Sequence, residues 1–158
     1  MVLLGNGDGT FESARTFPSG GVQPAGLADP DFDKDGDTDL AVANSAFNEV
    51  TPNNITVLEN VGGDFKTKQT VAMERGQGPT FLAKGNFHRG GHPDLVVSNA
   101  GADTVTLLVN KRGVYESTQP NGIGRGDDPQ GIMLVTLTMT ASWMLLPRTQ
   151  TRTMSWSS

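Results

Sequence analysis

A repeat of about 50 to 55 residues is the feature of this sequence that most constrains its fold. Three markers recur at that spacing: a proline (Pro24, Pro79, Pro129), an aromatic residue (Phe11, Phe65, Tyr115) and an Asp-Leu pair (Asp39-Leu40, Asp94-Leu95). A fixed period in this range indicates a repeat architecture, in which each repeat is one unit that stacks on its neighbours. We therefore expect consecutive copies of one small structural unit.

Each period contains four short candidate strands, rich in Val, Leu, Ile, Thr and Phe and bounded by Gly, Asn, Asp or Pro. In the first period they lie near 24–29, 39–44, 55–60 and 65–71, and in the second near 80–84, 94–99, 104–110 and 114–118. Four strands per period is typical of a β-propeller blade. A β-sandwich is the alternative, but it does not require a 50-residue repeat.

The repeat count predicts an all-β fold made of an incomplete arc of propeller blades. Gly contributes 20 and Pro 9 of the 158 residues, which suits short strands and turns better than long helices. A propeller closes with typically four to eight blades, so we expect this chain to be part of a larger ring. The predicted divisions are 1–23 (third and fourth strands of one blade), 24–78 (a blade with a complete acidic loop), 79–128 (a blade with a degenerate loop), 129–134 (the start of a third blade) and 135–158 (a tail).

An acidic loop between the first two strands of the first period gives the strongest chemical signal. It reads Asp31-Phe32-Asp33-Lys34-Asp35-Gly36-Asp37-Thr38-Asp39, with carboxylates at positions 1, 3, 5 and 9 and glycine at position 6. A hard cation with six to eight oxygen ligands needs this pattern, and Ca²⁺ is the favoured ion. Position 7, Asp37, can supply its backbone carbonyl.

Two other interpretations of this loop are weaker. An EF-hand needs a bidentate glutamate at position 12 and flanking helices, but position 12 is Val42 in an apolar strand. A surface turn that binds nothing would bring five Asp residues together without a cation, and these charges would repel one another. We therefore expect a nine-residue Ca²⁺ site between two strands.

The chain resembles the FG-GAP/VCBS repeat family, the blades of integrin α-subunit propellers and of many bacterial surface proteins. The matching text is Val2-Leu3-Leu4-Gly5-Asn6-Gly7-Asp8-Gly9-Thr10-Phe11, the loop Asp31 to Asp39, and Asp39-Leu40-Ala41-Val42-Ala43-Asn44, within residues 1 to about 134. The resemblance implies a seven-bladed propeller with Ca²⁺ in its blade loops. It implies the ligands Asp31, Asp33, Asp35, the Asp37 carbonyl and Asp39. It also implies an extracellular or cell-surface role in adhesion or ligand binding.

The corresponding loop of the second repeat departs from this pattern. It reads Asn86-Phe87-His88-Arg89-Gly90-Gly91-His92-Pro93-Asp94, with one carboxylate instead of five, so Ca²⁺ is not expected there. Both histidines of the chain fall in this loop and could suggest a transition-metal site. Because no third ligand is visible nearby, the sequence favours an eroded loop with solvated histidines.

The tail from residue 135 does not continue the repeat. Counting from Pro129 as from Pro24 places the third acidic loop at 136–144, yet this stretch contains no acidic residue. In the reading frame one nucleotide upstream, the genetic code makes the codon across Met139/Thr140 GAC and the codon across Trp143/Met144 GAT, which puts Asp at loop positions 5 and 9. We therefore predict that residues 135–158 are out-of-frame text. A genuine Thr-, Met- and Trp-rich tail is the alternative.

Composition excludes several function classes. The net charge is −5 and the basic residues are scattered, so nucleic acid is not an expected partner. There is no cysteine, no apolar run long enough to span a membrane and no export signal in the chain as given. No nucleophile elbow, phosphate loop or placeable histidine–carboxylate pair suggests an enzyme.

We expect a non-catalytic protein that binds an unidentified protein or carbohydrate ligand and packs against the remaining blades of a full propeller. The alternative is the propeller part of a secreted polysaccharide-active enzyme or a carbohydrate-binding lectin.

Overall fold

The computed structural model describes residues 1–46, 52–74, 78–118, 121–122, 129, 131–137 and 142–147. These residues form an all-β fold, and a single 3₁₀ turn at Ala100–Ala102 is the one helical element among them. The strands are β1 (Pro24–Ala28), β2 (Leu40–Asn44), β3 (Asn54–Val61), β4 (Asp64–Ala72), β5 (Pro79–Gly85), β6 (Asp94–Asn99), β7 (Thr104–Asn110), β8 (Tyr115–Ser117), β9 (Asn121–Gly122), β10 (Ile132–Leu137) and β11 (Ser142–Pro147). The eight strands predicted for the two complete periods are confirmed as β1 to β8.

Two antiparallel sheets repeat the same strand order. The first runs β1-β2-β3-β4 and the second runs β5-β6-β7-β8, so each strand pairs with its neighbour along the chain. The short strand β9 also pairs with β7. It pairs with Thr104 and Val105, whereas β8 pairs with Leu108 to Asn110, so β8 and β9 together take the place of the fourth strand in the second sheet. The β-branched and apolar residues of these strands suit a pleated surface that is packed on at least one face.

The two sheets also share an irregularity in their first strands. The register of β1 against β2 shifts between Pro24 and Gly26, and that of β5 against β6 shifts between Pro79 and Phe81. Pro24 and Pro79 pair with Asn44 and Asn99, so the equivalent residues meet in both sheets. Proline has no N–H to donate, which is why it is tolerated at the start of a strand and next to a bulge. The 55-residue repeat of the sequence is thus a repeat of three-dimensional structure.

The core lies between the two sheets, which pack face to face. The buried cluster comprises Ala28, Ala41, Ala43, Ile55, Val57 and Val71 of the first sheet, Phe32 and Met73 of the segments that follow β1 and β4, and Leu82, Leu95, Val97, Leu108 and Tyr115 of the second sheet. The closest approach is at β1 and β5, where a Cβ added to Gly26 would lie 2.3 Å from the Thr80 carbonyl oxygen. Glycine is needed there because the two backbones come together.

The N-terminal segment folds back on itself as a hairpin. Bridges join Val2 to Arg15 and Gly5 to Phe11, and the backbone N–H groups of Val2 and Arg15 donate to each other's carbonyls at 2.8 and 3.0 Å. Residues 1–23, predicted to hold the third and fourth strands of a blade, are therefore paired by isolated bridges and do not form continuous strands there. The hairpin lies on the face of the first sheet that points away from the second sheet, and Phe17 contacts Phe65 with ring centroids 5.3 Å apart.

The tail forms a second hairpin from β10 and β11. Its register runs from Ile132 opposite Pro147 to Leu137 opposite Ser142. Residues 135–137 and 142–147 are thus in strands, although they belong to the segment that is predicted to be out of frame. Residues such as Thr, Val and Leu have high β-propensity in any sequence that contains them. The hairpin therefore does not test whether residues 135–158 are translated out of frame. That prediction concerns the gene.

In the described part of the chain, no helix has the length and apolar character that a membrane crossing would require.

Candidate metal centre

The loop that joins β1 to β2 is wound tightly by its own carboxylates. The Asp35 N–H donates to Asp33 Oδ1 at 3.3 Å, and the Asp37 N–H donates to Asp35 Oδ1 at 2.9 Å. Such local bonds from an Asp side chain to the backbone two residues on favour turns over regular structure. Gly36 has the expected left-handed backbone, with φ +98°, and Lys34 also has a left-handed conformation, with φ +66°.

Three of the four side chains predicted as ligands converge on one point. The ligand atoms of Asp31, Asp33 and Asp39 all lie within 4.8 Å of one another. The carboxylates of Asp35 and Asp37 are not in this group, and that of Asp35 accepts the Asp37 N–H. For Asp37, only the backbone carbonyl is a predicted ligand. The structure thus narrows the carboxylate set to the first, third and ninth positions of the loop.

An unpaired buried atom suggests what this cluster is for. Asp31 Oδ1 is buried and has no hydrogen-bond partner among the described residues, although Asp31 itself is only half-buried. Leaving a buried polar atom unpaired costs about 1–3 kcal/mol, and more when the group is charged. A hard cation between the three carboxylates would offset both this cost and their mutual repulsion. Oxygen-only ligands of this kind fit Ca²⁺.

Asp39 also has a structural role that the sequence analysis did not predict. Its side chain is fully buried at the start of β2, where Oδ2 accepts the Phe32 N–H at 3.0 Å and Oδ1 accepts the Asn60 N–H at 2.8 Å. Burial raises the pKa of Asp39 above its ordinary value and outweighs these two bonds, which lower it; the charges of Asp33 and Asp35 raise it further. Each carboxylate oxygen keeps a second lone pair for a cation.

The second loop shows that this structural role does not need a metal. Asp94, 55 positions after Asp39, is also fully buried, and it accepts the Phe87 N–H at 2.7 Å and the Asn110 N–H at 2.8 Å. In both sheets the aspartate at the beginning of the second strand therefore joins the preceding loop to the end of the third strand by hydrogen bonds. The repeated Asp-Leu pair in the sequence was the available signal for this role.

The prediction that His88 is solvated is wrong, because its half-buried side chain is bonded to Asp94. Its Nδ1 lies 2.6 Å from Asp94 Oδ1, and its backbone N–H donates to Asp94 Oδ2 at 3.0 Å. A Cβ added to Gly90 would lie 1.8 Å from His88 Nε2, so the ring occupies the space beside a glycine. The prediction failed because the two residues are six positions apart in a loop whose path brings them together. His92 is half-buried, where a solvated side chain was expected, and its Nδ1 lies 3.4 Å from the Gly90 carbonyl oxygen.

The acidic loop rests against the second sheet. Asn110 Nδ2 donates to the Phe32 carbonyl at 2.8 Å, and the buried rings of Phe32 and Tyr115 lie 6.5 Å apart. A Cβ added to Gly113 would lie 3.4 Å from Asp33 Cβ, in ordinary contact. Asp33 thus lies beside the turn between β7 and β8, and the acidic loop is adjacent to the contact between the sheets.

Comparison with known proteins gives no match to this chain: no family model, no curated protein and no solved structure is similar to it.

Proposed function

We propose that this chain is a calcium-stabilised arc of β-propeller blades with a non-catalytic binding role. The observation that carries the proposal is the convergence of Asp31, Asp33 and Asp39, with Asp31 Oδ1 buried and unpaired, in a loop between the first two strands of a four-stranded sheet. The chemistry of this donor set fits a hard divalent cation.

The repeated structure supports the blade interpretation. Both sheets have the same antiparallel order and the same first-strand bulge, and they stack face to face. Stacked four-stranded sheets of this kind are the units from which a propeller ring is built. The resemblance of the loop and the Asp-Leu text to FG-GAP/VCBS repeats adds the proposed setting: an extracellular or cell-surface protein that binds a protein or carbohydrate ligand.

Within this proposal, the cation has a mechanical role. Asp39 connects the loop to β3 through the Asn60 N–H, while Phe32 connects the same loop to the second sheet through the bond from Asn110. A cation that joins Asp31 and Asp33 to Asp39 would hold these two attachments together. Binding would therefore rigidify the contact between neighbouring sheets, which is the contact that fixes the shape of a blade array.

Calorimetric titration of the metal-free chain with Ca²⁺ tests the proposal. We expect one site, with affinity lowered at least tenfold by Asp31→Asn or Asp33→Asn. Glu12→Gln is the matched control, because it removes one negative charge from an exposed position outside the loop and should leave the affinity unchanged. Asp37→Asn should also bind nearly as well as wild type, since only its backbone carbonyl is a proposed ligand. A wild-type chain that releases no heat with Ca²⁺ and gains no thermal stability would refute the site.

A further inference from the structure

The loops that lead into β2 and β6 share one hydrogen-bonding frame. On Oδ2, Asp39 and Asp94 each accept the N–H of the second loop residue, at 3.0 and 2.7 Å. On Oδ1, each accepts an N–H from the end of the third strand, at 2.8 Å in both sheets. The glycine at loop position 6 is left-handed in both loops, with φ +98° at Gly36 and +77° at Gly91. Equivalent positions of the two loops can therefore be compared directly.

The two buried aspartates differ in the number of hydrogen bonds that they accept. Asp39 accepts two from the described residues, so about half of the roughly four lone-pair sites of its carboxylate stay unused by them. Asp94 accepts these two and two more, and both additional donors belong to His88. Its Nδ1 lies 2.6 Å from Oδ1, and its backbone N–H donates to Oδ2 at 3.0 Å. His88 thus fills the acceptor sites that Asp39 keeps for a cation.

His88 stands at loop position 3, where the first loop has Asp33. The ligand atom of Asp33 lies within 4.8 Å of that of Asp39, so the side chain at position 3 approaches the buried aspartate in both loops. A histidine can bond that aspartate directly, whereas a second carboxylate needs a cation between the two. Position 1 changes as well, because the exposed Asn86 stands there. Among the described residues, the second loop brings no three ligating side chains together, so it does not fit Ca²⁺.

Loop position 5 provides the space that the imidazole needs. A Cβ added to Gly90 would lie 1.8 Å from His88 Nε2 and 2.5 Å from its Cε1, so a side chain there would displace the ring from Asp94. The first loop has Asp35 at this position, and its carboxylate accepts the Asp37 N–H. Histidine at position 3 and glycine at position 5 therefore form a matched pair of residues.

We propose that the His88 imidazole takes the place in the second loop that the cation takes in the first, and that Gly90 is required for it. The comparison rests on the proposed calcium site, but the contacts of His88 do not. One sheet then depends on the cation, and its neighbour carries an internal substitute. Ca²⁺ would therefore regulate the first loop alone, while the second loop keeps its hydrogen bonds without metal.

Transfer of the histidine–glycine pair to the first loop tests the proposal without Ca²⁺. Urea unfolding in the presence of a chelator should show that Asp33→His with Asp35→Gly raises the midpoint above that of wild type, because the ring bonds Asp39. The gain should exceed the sum of the two single-variant effects, since Asp33→His alone keeps a side chain in the space of the ring. Effects that simply add would overturn the proposal.

The reverse exchange tests the second loop by calorimetric titration with Ca²⁺. Asn86→Asp with His88→Asp gives this loop carboxylates at positions 1, 3 and 9, and the number of ions bound per chain should rise from one to two. Asn86→Asp alone is the matched control and should leave the number at one, because His88 is still in place. Circular dichroism checks the fold of each variant.

Two titration results would contradict the role of His88. One is a second ion bound by Asn86→Asp alone, and the other is a folded double variant that still binds a single ion. The calcium site has its own test, because a wild-type chain that binds no Ca²⁺ would refute that site alone. Additive effects in the chelator would refute the role of His88 alone.

Discussion

Asp39 and Asp94 occupy equivalent places in the two sheets but have different side chains beside them. Both are fully buried at the start of the second strand, and both accept one N–H from the loop and one from the end of the third strand. Asp94 has His88 as its additional partner, at 2.6 Å. Asp39 instead faces Asp31 and Asp33 and has no cationic side chain at hydrogen-bonding distance in the described structure.

The paired variants Asp39→Asn and Asp94→Asn separate the structural role from the metal role. In each variant an amide NH₂ group replaces one carboxylate oxygen that accepts a backbone N–H, so a donor then faces a donor. Each variant should therefore lower the unfolding free energy of the metal-free protein by about 1–3 kcal/mol. With Ca²⁺ at 100 times its dissociation constant, wild type and Asp94→Asn should gain about 2.7 kcal/mol, and Asp39→Asn far less. Urea unfolding with and without Ca²⁺ measures both effects. An equal gain in both variants would remove Asp39 from the ligand set.

His88→Ala should destabilise the second sheet, because it leaves the buried Asp94 carboxylate without its side-chain partner. We expect a loss of about 1–3 kcal/mol in unfolding free energy, by the cost of a lost bond to a charged group. His92→Ala is the control, since it removes the other histidine of the same loop, whose contact with the Gly90 carbonyl is long at 3.4 Å. Urea unfolding at pH 7 gives the comparison. Equal stability of the two variants would show that the His88–Asp94 bond contributes nothing measurable.

Gly26→Ala should disrupt the contact between the sheets. The added methyl would lie 2.3 Å from the Thr80 carbonyl oxygen and 3.1 Å from Phe81 Cα, which are backbone atoms that cannot move independently. Overpacking of this kind costs about 1–3 kcal/mol. Gly5→Ala is the matched control, because nothing lies within 4 Å of its added methyl. Thermal unfolding should show a lower midpoint for Gly26→Ala alone.

Tyr115, the single tyrosine, should resist ionisation until the protein unfolds. Burial raises its pKa above the ordinary value, and the charges of Asp94 and Asp39 add to this, although a hydrogen bond with Asn110 opposes it. The folded state therefore keeps the proton while the unfolded chain loses it near pH 10. Stability is thus retained below pH 10 and lost as the pH rises further. Absorbance at 295 nm and circular dichroism should change together; phenolate formation in a still-folded chain would contradict this.

Sequencing of the gene tests the tail. We expect Asp or Asn codons at loop positions 1 and 3 and a Gly codon at position 6 when the frame is shifted one nucleotide upstream from residue 135. Asp is already fixed at positions 5 and 9 by the codons across Met139/Thr140 and Trp143/Met144. A different residue type at the three open positions would leave the tail as genuine text.

The sequence by itself determined the repeating unit of this protein. Short segments rich in Val, Leu, Ile, Thr and Phe and bounded by turn residues are local signals, so the eight strands of the two complete periods could be predicted, as could the acidic loop. The left-handed Gly36 follows from the same local logic, since a tight turn demands positive φ.

Only the tertiary structure decided which residues meet. Four Asp carboxylates looked equivalent as potential ligands, but those of Asp31, Asp33 and Asp39 lie together and that of Asp35 does not. His88 looked solvated until the loop path brought its ring to Asp94. The same leucine and valine pattern is buried in the second sheet and partly open in the first, because burial depends on which element packs against a strand. Contacts across sheets depend on backbone path and register, and no local pattern encodes them.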